Sequence, residues 1–221
     1  MKKLNYNSSR YRFAEIVCEH FKVTSLENLH IERKDLLPQE KLNFENESKT
    51  RYHDHFYSRL RSGWDEITTA YETFIKNEIK PLVRDEFVYQ AFPTVRFHIP
   101  GDQAIHYWHY DSDEDHRHPE GEINFQVALT NIHDTQAMWI ESVPGLGDYS
   151  PMNMSYGEYY VFNGNKCTHG NKCNETNKTR VSFDFRILPL KKYENYLKSN
   201  TNKSSATMDR KFIVGSYYSK F

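Results

Sequence analysis

A mainly antiparallel β domain, preceded by a helical N-terminal part, is the fold class that this 221-residue sequence predicts. Three observations lead there. Over the first ninety or so residues, apolar side chains recur at three- and four-residue intervals, the period of a helix face. From about Val88 the period drops to two, in short runs rich in β-branched and aromatic residues. Between those runs lie turn-forming pieces such as Pro100-Gly101-Asp102, Pro144-Gly145-Leu146-Gly147-Asp148 and Asn163-Gly164-Asn165, with no helical segments between them. Short strands joined by turns alone suggest a sandwich or barrel in place of a parallel α/β sheet.

The elements follow in order. Ser8 or Ser9 can cap a helix whose buried stripe is Phe13, Ile16, Val17 and Phe21. The charged stretch 34–49 has little periodicity and reads as a loop with a helix start. After Ser62, a clearer helix carries Ile67, Tyr71, Phe74 and Ile75, and Pro81 ends it at the latest. Strands are predicted over 94–98, 104–110, 122–130, 137–143, 158–163 and 180–188. A Lys/Asn/Ser-rich stretch, 197–210, reads as a mobile loop, and the aromatic terminus from Phe212 to Phe221 as a strand or lid folded back. The expected organisation is a single domain over 1–221: helices over 1–90, a β core over 91–190, and a tail or lid over 191–221.

Composition excludes several partners. With 29 basic against 30 acidic residues the formal charge is −1, so there is no electrostatic reason to bind nucleic acid or an anionic membrane. No apolar run approaches the roughly 20 residues that span a bilayer. The opening MKKLNYNSSRYRF has two lysines but no apolar segment behind them, unlike a signal peptide. A cytoplasmic location is expected, and three cysteines (Cys18, Cys167, Cys173) are too few and odd in number for a disulfide framework. A small-molecule substrate is the expected partner.

Alternation assigns faces to the two most regular strands. Ile123, Phe125, Val127 and Leu129 oppose Glu122, Asn124, Gln126 and Thr130, while Val181, Phe183, Phe185 and Ile187 oppose Arg180, Ser182, Asp184 and Arg186. One alternative is an ordinary half-exposed sheet. The other puts the apolar face under the helices and makes the polar face the wall of a cavity, a reading favoured by the density of hydrogen-bonding groups in RxSxDxR.

The chemistry concentrates in His109-Tyr110-Asp111 with a later His169. In an extended segment His109 and Asp111 share a face, and a second imidazole completes a two-His-one-carboxylate set that holds three positions of an octahedral Fe(II) and leaves three open. His106 falls on the opposite face; Asp113 and Asp115 share the parity of Asp111; His116 and His118 read as solvated, and His133 as part of an exposed turn. A zinc site from Cys167, His169 and Cys173 lacks a fourth ligand and the paired Cys-x-x-Cys spacing. Arg180 and Ser182 lie on one face eleven and thirteen residues after His169, and a guanidinium fork with a hydroxyl suits a carboxylate. Alternatively, Arg180 is in a structural ion pair with Asp184 or Glu158; Arg186, on the same face, is a second candidate clamp.

His109-x-Asp111, His169 and Arg180-x-Ser182, in that order, resemble the Fe(II)/2-oxoglutarate-dependent dioxygenases. The stretch 94–188 is similar more narrowly to bacterial oxygenases of streptomycin-type biosynthesis, through GEINFQ at 121–126, WIESVPG at 139–145, Tyr156-Gly157-Glu158, His169-Gly170 and TRVSFDFR at 179–186. This covers under half of the chain. The resemblance implies a double-stranded β-helix, a cupin-like jelly roll with the N-terminal helices packed on its major sheet. It assigns His109, Asp111 and His169 to iron, and Arg180 with Ser182 to the distal carboxylate of 2-oxoglutarate. It makes Asn124 and Ser142 contacts of the ligands or the substrate, Arg96 a partner for an anionic group on the substrate, and Arg186 an exchangeable second clamp. The implied activity is hydroxylation of a small polar metabolite, using Fe(II), 2-oxoglutarate and O2. Two other classes fit the residues alone: a cupin-like metal-dependent isomerase or epimerase, and a non-enzymatic carbohydrate-binding jelly roll.

Overall fold

In the computed structural model, residues 1–40, 42, 49–104, 107–199 and 211–221 are described. Strand β1 (Lys2–Asn5) opens the chain. The Asn7 side chain accepts from the Arg10 amide to cap α1 (Ser8–Tyr11), so the cap lies just ahead of the two serines. Arg12 turns left-handed at φ 49° and separates this turn from α2 (Phe13–Phe21), which buries the expected stripe. A short α3 (Leu29–Glu32) follows. Helix α4 (Arg51–Arg61), capped by Thr50, was not expected: eleven residues with strong charge hide a buried stripe of Tyr52, His53 and Phe56. Most of the preceding stretch, 41 and 43–48, lies outside the described residues. Helix α5 (Asp65–Phe74) runs into a wider turn at Ile75–Ile79 and a tight one at Lys80–Leu82, which holds Pro81.

The strands are β2 (Phe87–Gln90), β3 (Thr94–His98), β4 (Ile123–Ala128), β5 (Met138–Ile140), β6 (Ser150–Pro151), β7 (Glu158–Phe162), β8 (His169–Asn171), β9 (Arg180–Pro189) and β10 (Tyr218–Ser219), with α6 (Leu190–Ser199) between the last two. Among the described residues they form two antiparallel sheets. The larger has the order β1-β7-β4-β9-β2-β10, with β3 also paired to β9; the smaller has the order β6-β5-β8. Long β9 meets β3 along Arg180 to Asp184 and β2 along Ile187 to Pro189, while β4 runs along its other edge.

Three expectations change here. The strand over 104–110 is reduced to a single bridge, His109 against His169, and residues 105–106, His106 included, lie outside the described residues. The strand over 137–143 stops at Ile140, beyond which the Glu141 carboxylate accepts from the Thr168 and Gly147 amides and bends the chain into a turn. Of the stretch 197–210, residues 197–199 close α6 and 200–210 fall outside the described residues. The aromatic terminus does return as a strand, β10 on β2.

The core lies between the helices and the apolar face of the larger sheet. Phe13 meets Phe183 edge-on at 5.0 Å, Tyr71 meets Phe185 at 5.5 Å, and Phe125 stacks on Phe185 at 4.8 Å. Burying one such ring stabilises by about 1.5–3 kcal/mol, which leaves the opposite, polar face of β4 and β9 turned to the smaller sheet. No helix among the described residues is long and apolar enough to cross a membrane.

His53 shows how deeply this core is closed. It is 4% exposed, shares a hydrogen bond with the Thr50 hydroxyl and meets Phe97 edge-on. Burial, reinforced by the Arg96 charge, pushes its pKa down to about 3. The unfolded imidazole titrates near pH 6.5, so between these values the unfolded state holds the extra proton. Stability should therefore fall as pH drops below about 6.5, by about 1.4 kcal/mol per pH unit from this residue. Urea unfolding between pH 7 and pH 4 is expected to show that His53→Gln has a slope shallower by about one proton.

Candidate metal centre and cosubstrate chamber

Strand β7 ends in the Asn163-Gly164 turn, which the Cys167 amide closes onto the Asn163 carbonyl at 2.8 Å before β8 begins at His169. The segment 109–111 is laid alongside: His109 and His169 exchange backbone hydrogen bonds of 3.0 and 2.8 Å, and the Asp111 amide donates to the Gly164 carbonyl at 2.9 Å. There is no room for a side chain at that crossing. A Cβ on Gly164 would lie 2.7 Å from the Phe162 ring and 2.9 Å from Asn124 Nδ2.

This pairing brings three candidate ligands together. The His109 and His169 rings are 4.6 Å apart, and their Nε2 atoms stand 3.9 and 3.8 Å from Asp111 Oδ1. All three side chains are buried. Nδ1 of His109 faces the Tyr107 carbonyl at 3.4 Å, and Nδ1 of His169 the Cys167 carbonyl at 3.0 Å. A carbonyl accepts, so the ring proton belongs on Nδ1 and the Nε2 lone pair is left for a metal. Burial drives the His109 pKa down to about 2 and lowers that of His169 as well. Burial alone would raise the Asp111 carboxyl, but the Arg186 guanidinium, with His118 and His169, holds it well below the usual range. At neutral pH the set is two neutral imidazoles and a carboxylate, ready for a divalent cation without loss of a proton.

Beside the triad lies a group of buried polar side chains. Arg180, at the start of β9, donates through Nη1 to the Gln136 carbonyl and to Asn171 Oδ1, both at 2.8 Å. Burial, with the nearby Arg96 charge, lowers its pKa to about 9, which leaves it cationic at neutral pH. Arg180 Nε, Ser182 Oγ, Asn171 Nδ2, Gln126 Oε1 and the side-chain amide of Gln136 are buried with no hydrogen-bond partner. Each such group costs about 1–3 kcal/mol while unpaired. Arg180 Nε, Ser182 Oγ, Asn171 Nδ2 and Gln136 Nε2 are open donors, chemistry that suits a carboxylate, while Gln126 Oε1 and Gln136 Oε1 are open acceptors.

Known proteins are similar to this chain in sequence or in structure. Streptomycin biosynthesis protein StrG of Streptomyces griseus is 30% identical over 174 residues, covering 79% of this chain and 78% of that protein. The chain belongs to the family of that protein. No protein-family profile matches it. Similar solved structures include a Trichoplax adhaerens prolyl hydroxylase in complex with a hypoxia-inducible-factor peptide (10% identity, TM-score 0.49, 88% of this chain and 86% of that one). AviO1 from Streptomyces viridochromogenes (13%, 0.43, 84% and 89%) and CytC3 with Fe(II) and α-ketoglutarate (14%, 0.46, 86% and 72%) are others. The side chains described above suit a divalent metal and a diacid: nitrogen and carboxylate ligands for the one, a buried cation and hydroxyl for the other.

Three sequence expectations need correction, and Arg96 is already partly engaged, its Nε donating to Asp184 Oδ1 at 3.1 Å. Arg186 is not a second clamp: Nε and Nη2 donate to Asp111 and Nη1 to Asp184. Ser142 sits in an exposed loop, where its hydroxyl donates to Asp148 at 2.6 Å. His116 and His118 are not solvated. The His116 ring stacks on His109 with centroids 4.4 Å apart, held by Asp113 and the Tyr107 hydroxyl, while His118 is 2.7 Å from Glu122 and packs on Phe212. Asn124 does reach the site, donating to Asp111 Oδ2 at 2.5 Å.

The alternatives fare differently. Arg180 pairs with neither Asp184 nor Glu158, and His133 is exposed. Among the described residues no ligand-like cluster includes a cysteine. Asp111, His118 and Glu122 form a second such cluster, but both Glu122 oxygens are occupied, by His118 and by the Tyr218 hydroxyl. Residues missed by sequence reading are Gln136, Asn171, Gln126 and Tyr107. Asn171 was within reach, being two residues after His169 and so on the same strand face.

Gly164→Ala is expected to push Asn124 off Asp111 and to destabilise the protein by about 1–3 kcal/mol, the usual effect of overpacking. Urea unfolding at neutral pH measures it, and an unchanged midpoint would mean that this crossing has slack.

Proposed function

We propose that this protein is an Fe(II)- and 2-oxoglutarate-dependent dioxygenase that hydroxylates a small polar metabolite. The observation that carries the reading is one polar interior holding both halves of the machinery. Two neutral imidazoles and a carboxylate converge at His109, Asp111 and His169, and the buried Arg180 bonds to Asn171 on the strand that begins with His169. Two residues of strand separate Asn171 from His169, about 6.6 Å of rise, which suits a diacid reaching from a metal to a guanidinium.

Bound Fe(II) with 2-oxoglutarate and O2 supplies the oxidation: the keto acid becomes succinate and carbon dioxide, and one oxygen atom enters a C–H bond of the substrate. The chain's own residues do the rest. His109, Asp111 and His169 are the metal ligands in this reading. Arg180 and Ser182 take the distal carboxylate, and Asn171 holds the guanidinium in place beforehand through Oδ1. His116, stacked on His109 and tied to Tyr107 and Asp113, shields one flank from water. Strand β10 closes the other end, where the Tyr218 hydroxyl reaches Glu122 and the Tyr217 hydroxyl reaches Gln90.

The sheet orders support a double-stranded β-helix within a single domain: β1-β7-β4-β9 with β3 faces β6-β5-β8, and the latter is extended by the bridge at His109. A polar interior wall and the link of StrG to antibiotic biosynthesis favour an amino acid, sugar or amino-sugar intermediate as substrate, in the cytoplasm, with neither nucleic acid nor membrane as partner.

Anaerobic addition of Fe(II) and then 2-oxoglutarate is expected to produce a visible charge-transfer band. Arg180→Gln should weaken 2-oxoglutarate binding by about 10–100-fold, the loss of one charge-assisted contact. A wild-type protein that binds Fe(II) and shows no band on adding 2-oxoglutarate would remove the oxygenase reading. Turnover of a metabolite without O2 would replace it with an isomerase, and ligand affinity unaffected by His109→Ala with a carbohydrate-binding module.

A further inference from the structure

We infer that Arg186, braced by Asp184 and Arg96, is a positioning residue that decides which oxygen of Asp111 faces the metal. The inference rests on the metal reading above.

Asp111 is 1% exposed, and it sits in an irregular segment outside every named strand. A buried carboxylate there needs partners, and its two oxygens are treated unequally. Oδ2 accepts from Asn124 Nδ2 at 2.5 Å and from Arg186 Nε at 2.9 Å. Oδ1 receives only the longer Arg186 Nη2 contact, 3.2 Å, and is the oxygen that lies 3.8–3.9 Å from both imidazole Nε2 atoms. Two short donors occupy Oδ2, so Oδ1 is the oxygen with capacity left on the side of the histidines.

The guanidinium is itself fixed from behind. Arg186 Nη1 donates to Asp184 Oδ2 at 2.9 Å, and Asp184 Oδ1 accepts from Arg96 Nε at 3.1 Å. The register spreads these residues over three adjacent strands: Asn124 lies opposite Arg186, and Arg96 lies opposite Ser182, next in line to Asp184. The result is a row of alternating charge, the half-buried Arg96 and Asp184 followed by the buried Arg186 and Asp111, anchored in the most regular part of the larger sheet. A ligand on an irregular segment thereby takes its orientation from a sheet. Arginine is required for this, because a planar fork spans both carboxylate oxygens and a neighbouring acid at once, and an ammonium acts from one point.

The test uses Co(II) binding to the metal-free protein, followed by calorimetry and by the visible spectrum of the bound ion, which reports coordination number. Arg186→Lys, which keeps the charge, and Arg186→Gln are expected to weaken Co(II) by about 10–100-fold, the range for lost outer contacts of a ligand. They should also alter the spectrum, because a released Asp111 can offer both oxygens. Asp184→Asn should shift both readouts in the same direction by less. A purely structural role would lower the melting temperature and leave the spectrum of the bound ion alone. If folded Arg186→Lys binds Co(II) within about twofold of wild type with the same spectrum, the inference is overturned, whether or not Arg186→Gln folds. Wild-type protein that takes up no Co(II) would instead sink the metal reading itself, and this inference with it.

Discussion

Burial of the Asp111 carboxylate is the constraint around which the rest of this structure is arranged. A charge removed from water is tolerated only when its oxygens are met by donors of fixed geometry. Here those donors come from β4 and β9, so the two central strands of the larger sheet must present polar side chains inward. The smaller sheet must then stand opposite and bring His169 to the same point. Gly164 is part of the same requirement, since a side chain there would press on Asn124, which donates to Asp111.

The two faces of β4 and β9 divide the work. Outward, Phe125, Phe183 and Phe185 pack with Phe13, Tyr71 and Phe74 into an aromatic layer that supplies apolar burial. Inward, the same strands spend their side chains on Asn124, Gln126, Arg180, Ser182, Asp184 and Arg186. Close packing on one side makes the strands rigid, and rigid strands are what hold polar groups unpaired or in one orientation on the other.

Three arginines illustrate how context divides one residue type. Arg180 keeps Nε unpaired, Arg186 turns all three of its nitrogens to Asp111 and Asp184, and Arg96 is drawn to Asp184 from the neighbouring strand. Their spacing in sequence is silent on this. What separates them is the identity of the residue across the sheet and across the gap between sheets.

Much of this was legible beforehand wherever a local period governs. Alternation placed Thr94–His98 at its observed bounds and sorted β9 into an apolar and a polar face. The stripes of α2 and α5 were legible for the same reason, since an amphipathic helix records its buried side at fixed intervals. Strand β1 was not, because four residues of mixed character become a strand only by pairing with β7 more than 150 residues later. Helix α4 was obscured by its charge, Arg186 was misplaced because Asp111 lies 75 residues away, and His116 and His118 were misplaced because their irregular loop has no period to read. By itself, then, the sequence determined which side chains share a face and which chemistry they carry, since both follow from neighbours along the backbone. Only the tertiary structure decided which of those groups meet, because a buried charge is satisfied by whatever the fold brings within about 3 Å of it.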